Sequence, residues 1–202
     1  MLDSTLRPLI DPPLNYLGAR LSKAGVTANM VTVAGFFIGL LSVPALALGH
    51  PLIALIAIGL NRLSDGLDGA VARHSHPTDA GGYLDIVFDF IFYSAVPFGF
   101  ALMAPQENAL AAAFLIFSFV GTGCSFLAYA IIAAKRGLST EIRGRKSFYY
   151  LGGLTEGTET IALLFAICLL PGWFPILAYI FGGLCWVTTA SRIWAGWGTF
   201  RH

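Results

Sequence analysis

Six long apolar stretches alternate with short polar links along the chain, at approximately 30–48, 51–72, 82–103, 109–133, 150–170 and 172–195. Each is close to the roughly 20 mostly apolar residues that a helix needs to cross a bilayer. The pattern therefore predicts six transmembrane helices. Ahead of them Leu14, Leu17 and Leu21 recur at helical spacing beside Asn15, Arg20 and Lys23, which predicts a helix lying in the membrane interface. Pro8, Pro12 and Pro13 break the chain before that segment, and residues 1–29 lack the uninterrupted apolar core of a secretory signal. The expected fold is all-α and polytopic. It comprises a cytoplasmic arm with the interfacial helix over 1–29, a six-helix membrane domain over 30–196 and a cytoplasmic tail over 197–202. Gly35 and Gly39 form a GxxxG in the first span, a pattern that permits close helix approach.

Composition excludes a soluble domain: of 202 residues, 56% are hydrophobic and only 11% charged. A net charge of +1 decides little, but its placement sets an orientation. Lys and Arg fall in the N-terminal arm (Arg7, Arg20, Lys23), at the second connection (Arg73), in the fourth (Lys135, Arg136, Arg143, Arg145, Lys146) and near the C-terminus (Arg192, Arg201). By the positive-inside rule both termini and the links 74–80 and 135–149 are expected in the cytoplasm, with the protein in the inner membrane. Apart from Arg192, close to the end of the sixth stretch, Arg62 is the one Lys or Arg within a span. Cys124, Cys168 and Cys185 are isolated in apolar segments, which suggests neither a disulfide framework nor a zinc site.

The chemistry is concentrated in twenty-five residues, which hold Asp65, Gly66, Asp68, Gly69, Arg73, Gly81, Gly82, Asp85 and Asp89. Carboxylates at membrane depth are costly and imply a task. Asp65 and Asp68 stand three apart and Asp85 and Asp89 four apart, so each pair shares a helix face. The short link His74 to Ala80 makes the two helices antiparallel neighbours, and the four carboxylates are expected to converge near the cytoplasm. Oxygen-only ligands suit Mg²⁺ or Mn²⁺, one or two ions offsetting the charge repulsion. Gly66 and Gly69 leave room for a substrate beside the ligands. His74 and His76 are read as solvated link residues, and Asn29 and Thr32 either cap the first span or touch a substrate.

Asp65-Gly66-Leu67-Asp68-Gly69-Ala70-Val71-Ala72-Arg73, followed by Gly81, Asp85 and Asp89, closely resembles the signature DxxDGxxAR…GxxxDxxxD of the CDP-alcohol phosphotransferase family. The link before Gly81 is one residue shorter than is common there, and Asn29-Met30-Val31-Thr32 matches the family's Asn-x-x-Thr at the entrance to the first span, with Ala28 where a proline is usual. The resemblance implies a metal-dependent enzyme of phospholipid biosynthesis. It moves a substituted phosphoryl group, phosphatidyl above all, from a CDP-linked donor such as CDP-diacylglycerol to a small polar alcohol, releasing CMP. It implies that Asp65, Asp68, Asp85 and Asp89 bind two metals, with Asp89 also the general base. Asn29, Thr32, Gly69, Ala72 and Arg73, with Thr78 more loosely aligned, are implied to hold the CDP part. A homodimer follows by the same resemblance, with no nucleic acid beyond that nucleotide. For the acceptor, the cytoplasmic-face residues Arg143, Arg145, Lys146, Glu156 and Glu159 combine basic and acidic groups and are the expected contacts. The alternatives are a prenyltransferase, since Asn61-x-x-x-Asp65-x-x-Asp68 is similar to the aspartate-rich motif of those enzymes, and a cation-coupled transporter.

Overall fold

The computed structural model describes residues 3–75, 77–137 and 153–201, and every regular element among them is helical. The helices are α1 (Asp3–Lys23), α2 (Ala28–Leu40), α3 (Ser42–Ala47), α4 (Pro51–His74), α5 (Asp79–Met103), α6 (Pro105–Lys135), α7 (Gly157–Leu169) and α8 (Phe174–Phe200), with a 3₁₀ turn at Pro171–Trp173 before the last. Arg143, Arg145 and Lys146 lie outside the described residues, as does His76.

Local chemistry explains the boundaries. The first expected span, 30–48, is observed as Ala28–Ala47 and is divided at Leu41, because Pro44 sits in the first turn of α3 and offers no N–H to the carbonyl of Leu40. Gly25 and Gly49, at φ 82° and 78°, end α1 and α3 in the left-handed conformation. The following amides close each turn, Val26 N donating to Leu21 O at 3.0 Å and His50 N to Ala45 O at 2.8 Å. The fifth expected span is shorter than its apolar stretch: α7 starts at Gly157, where Glu156 and Glu159 form a reciprocal capping box. A further difference is that α1 continues back through Pro12 and Pro13 to Asp3 rather than starting after the prolines.

Among the described residues four segments are long and apolar enough to cross a membrane: Ala28–Ala47, Asp79–Met103, Pro105–Lys135 and Pro171–Phe200. Helix α4 is of similar length but carries Arg62, Asp65, Asp68 and Arg73, and α7 is apolar but only 13 residues long. The protein is thus an all-helical membrane protein.

The core runs between α3, α4, α5, α6, α7 and α8, with Leu46, Ile58, Phe92, Phe100, Leu115, Leu164 and Phe174 fully buried. The Phe100 and Phe174 rings stack at 4.5 Å, joining α5 to α8. Toward the site, α2 lies tightly on α4. A Cβ on Gly35 would collide with the Ser64 side chain, and one on Gly39 would come within 2.8 Å of both Asn61 and Phe92. The GxxxG is therefore a packing seam. Helix α1 rests on the outer side of α4, with Leu14 buried and Gly18 against the Ala70 backbone, while Tyr16 and Leu17 stay exposed.

Candidate active site and metal centre

The C-terminal half of α4 and the N-terminal half of α5 place all four signature aspartates on one cleft. Its walls include Thr32, Gly35, Phe36, Asn61, Arg62, Asp65, Asp68, Asp85, Phe88 and Asp89. Phe36 and Phe88 stack at 4.0 Å across it, so α2 forms the third wall.

Within the cleft the carboxylates do not act as four equals. Asp65, Asp85 and Asp89 each bring an oxygen within 4.8 Å of the others, a spacing that suits a shared divalent ion. Asp68 lines the same cleft but is buried, and its Oδ2 accepts a 2.6 Å hydrogen bond from the Thr32 hydroxyl. Thr32 is thereby tied to a site carboxylate, and the helix-capping role falls instead to Thr27, whose hydroxyl accepts from Met30 N. Asn29 sits in the first turn of α2, with its Oδ1 so close to Gly81 that a Cβ there would collide with it. That contact gives the signature glycine a physical reason: α2 and α5 begin against each other at this point.

The remaining expected residues fall into two groups. Arg73 is exposed at the end of α4, and its Nε donates to Asn15 Oδ1 on α1 at 3.0 Å. Gly69 lies one turn back, where an added methyl would meet only Arg73 Nη1, at 3.7 Å, so that surface is open. Gly66 is different. A Cβ there would stand 2.8 Å from Leu14 Cδ1, so Gly66 admits α1 rather than a substrate. Thr78 is the N-cap of α5, its hydroxyl accepting from Gly81 N at 3.1 Å. Glu156 and Glu159 are engaged in the capping box of α7, with Glu159 Oε2 accepting from Glu156 N at 3.2 Å.

The structure also brings in residues whose role the sequence does not announce. Arg62 reaches Asp89 Oδ1 through Nη2 at 2.8 Å and lies 3.7 Å from Asp65. Asn61, buried beside it, donates to Gly35 O at 2.9 Å. The one signal for them in the sequence is a lone arginine in the same half-helix as the aspartates.

Known proteins share this fold. The family model for CDP-alcohol phosphatidyltransferase matches residues 25–194. The chain belongs to the CDP-alcohol phosphatidyltransferase family. It is 56% identical over 201 residues to the inner membrane protein YnjF of Escherichia coli, covering 100% of this chain and 98% of that one. It is 28% identical over 192 residues to the archaetidylinositol phosphate synthase of Pyrococcus horikoshii, covering 95% and 94%. A crystal structure of the Mycobacterium tuberculosis phosphatidylinositol phosphate synthase with CDP-DAG bound matches with a TM-score of 0.67 at 19% identity, covering 91% of this chain and 93% of that one. The same synthase in complex with manganese and citrate gives a TM-score of 0.66 at 20% identity, covering 91% and 88%. At such identity these likenesses show a shared fold. In this phosphatidyltransferase-family chain the three converging carboxylates offer hard oxygen donors only, which fits a divalent cation of the Mg²⁺ or Mn²⁺ kind.

Proposed function

We propose that the protein transfers a phosphatidyl group from CDP-diacylglycerol to a small polar alcohol and releases CMP, a step of phospholipid biosynthesis on the cytoplasmic side of the inner membrane. The observation that carries this reading is the convergence of Asp65, Asp85 and Asp89 within 4.8 Å on the cleft that Asp68 also lines, in a chain of this family.

Asp65, Asp68, Asp85 and Asp89 would hold one or two Mg²⁺ or Mn²⁺ ions. When bound, such ions neutralise the diphosphate and stabilise the departing CMP. Thr32 orients Asp68 through its 2.6 Å hydrogen bond. Arg73 offers a planar, permanently charged fork to the donor phosphates, and its bond to Asn15 holds it beside the open surface at Gly69, with Ala72 the residue before the arginine. Asn29 and Thr78 frame the nucleotide end where α2 and α5 begin. The acceptor oxygen attacks the lipid-bearing phosphorus, the bond from that phosphorus to CMP breaks, and Asp89 takes the hydroxyl proton. Arg143, Arg145 and Lys146 contact a phosphate on the acceptor, and Glu156 and Glu159, which fix the start of α7, orient the acceptor hydroxyl or those basic groups. Both termini face the cytoplasm, six helices span the membrane, and two copies associate as a dimer.

The test is to profile lipids made by the purified protein from CDP-diacylglycerol and a panel of alcohols including glycerol 3-phosphate, serine and inositol phosphate. The reading expects one new phospholipid, formed in equal amount with CMP. Pyrophosphate release from a prenyl diphosphate, or no chemistry with any donor, would overturn it.

A further inference from the structure

Arg62 is a guanidinium inside a membrane helix, with its side chain 9% exposed, and it lies outside the aspartate signature. A charge at such depth persists where partners hold it. Here every face of the group is engaged. Nε donates to Asn61 Oδ1 at 2.8 Å, Nη1 to Tyr93 Oη at 2.9 Å and Nη2 to Asp89 Oδ1 at 2.8 Å. The plane lies over the Phe92 ring at 4.7 Å and near the Tyr93 ring at 5.0 Å. Asn61 is anchored in turn, its Nδ2 donating to Gly35 O across the α2–α4 seam. The sequence of contacts runs from the backbone of α2, through two residues of α4, to a carboxylate on α5.

We propose that Arg62 is a positioning residue for Asp89. Held by Asn61 and Tyr93 through its other two nitrogens, the guanidinium presents Nη2 to Oδ1 and so fixes the rotamer of the carboxylate, while the second carboxylate oxygen stays outside this pairing for the metal or the acceptor proton. A planar guanidinium suits the task because three donors point in fixed directions at once, which a lysine ammonium on a flexible stem cannot reproduce. The same group places a resident positive charge 3.7 Å from Asp65 and 2.8 Å from Asp89, within the carboxylate cluster. Arg62 therefore has two separable effects. It orders Asp89, and it opposes the binding of a second cation at the cluster by like-charge repulsion. The inference rests on the proposed function of Asp89.

The two effects predict opposite changes, which a merely structural arginine would not give. With purified protein, Mn²⁺ binding is measured by electron paramagnetic resonance and turnover by CMP release at saturating Mn²⁺. Arg62→Met should tighten Mn²⁺ several-fold by Coulomb relief while kcat falls about tenfold or more, the loss expected when a charge-assisted hydrogen bond to a reacting group is removed. The KM for the CDP donor should stay near that of the wild type. Arg62→Lys keeps the charge but loses the fork, so Mn²⁺ affinity should hold while kcat still falls. Tyr93→Phe removes one anchor isosterically and should lower kcat by a smaller factor with Mn²⁺ affinity unchanged, a comparison that stands even if Arg62→Met fails to fold. Wild-type kcat in both Arg62→Lys and Tyr93→Phe would overturn the inference, as would parallel loss of Mn²⁺ affinity and turnover in Arg62→Met. Asp89→Asn is measured beside them. If it retains wild-type turnover the proposed role of Asp89 fails, whereas an inactive Asp89→Asn with unaffected Arg62 and Tyr93 variants refutes the positioning role alone.

Discussion

Gly39→Ala is a one-methyl change whose cost follows from the packing behind the active site. The new Cβ would stand 2.7 Å from Asn61 Nδ2, 2.8 Å from Asn61 Cγ and 2.8 Å from Phe92 Cδ2. Ordinary contacts need about 3.5 Å or more, so each neighbour would have to retreat by roughly 0.7 Å. Neither has room, since Phe92 is fully buried and Asn61 is 5% exposed. Overpacking of this kind costs about 1–3 kcal/mol. Displacing Asn61 also breaks its buried hydrogen bonds to Gly35 O and from Arg62 Nε, adding about 1–2 kcal/mol. The better helix propensity of alanine offsets about 1 kcal/mol. The net loss is therefore roughly 1–4 kcal/mol, which for a chain of this size lowers Tm by about 2–16 °C. The assay is thermal unfolding of the purified protein, with Gly59→Ala as control because its Cβ would meet only Phe165 Cζ at 4.0 Å. The control should match or exceed the wild type. A Gly39→Ala protein as stable as the control would refute the reasoning that this seam holds Asn61 in place.

Other substitutions probe the contacts around the cleft and the orientation of the chain. Thr32→Val keeps the shape but removes the donor to Asp68, and CMP release should fall about tenfold, since a hydrogen bond to a charged group contributes about 1.5–3 kcal/mol; unchanged kinetics would remove Thr32 from the site. Glu159→Ala dismantles the α7 capping box and should cost about 1 kcal/mol of stability in a thermal melt while leaving the KM of the CDP donor unchanged. In a background lacking Cys124, Cys168 and Cys185, the His76→Cys protein should react only with reagents that reach the cytoplasm, and labelling from outside intact cells would contradict the orientation.

Periodicity and charge made part of this architecture legible in the chain. Apolar runs marked the helices of the bundle, and the three- and four-residue spacings of the aspartates were enough to turn them toward one another, because a helix fixes side-chain direction locally. What stayed hidden depends on neighbours distant in sequence. Gly66 looked like space for a substrate and is space for Leu14, a residue 52 positions away. Thr27, not Asn29 or Thr32, caps α2, since the cap is chosen by where the backbone leaves the turn at Gly25. Glu156 and Glu159 looked like a polar site at membrane depth, and that they also satisfy the amides at a helix start depends on where α7 begins. Arg62 stood out as an arginine in the same half-helix as the aspartates but gave no sign of its partners, because Tyr93 and Asp89 reach it from another helix.

The measurement that tests the central claim most directly is CMP release from CDP-diacylglycerol by wild type and Asp85→Asn, each with Mn²⁺, with Mg²⁺ and with a chelator. Asp65 and Asp89 are both also engaged by Arg62, whereas Asp85 joins the group through its position in the cleft, so its loss isolates the metal centre. The account predicts CMP release by the wild type that stops with the chelator, and none from Asp85→Asn at the same metal concentration. Metal-independent CMP release, or wild-type rates from Asp85→Asn, would contradict it.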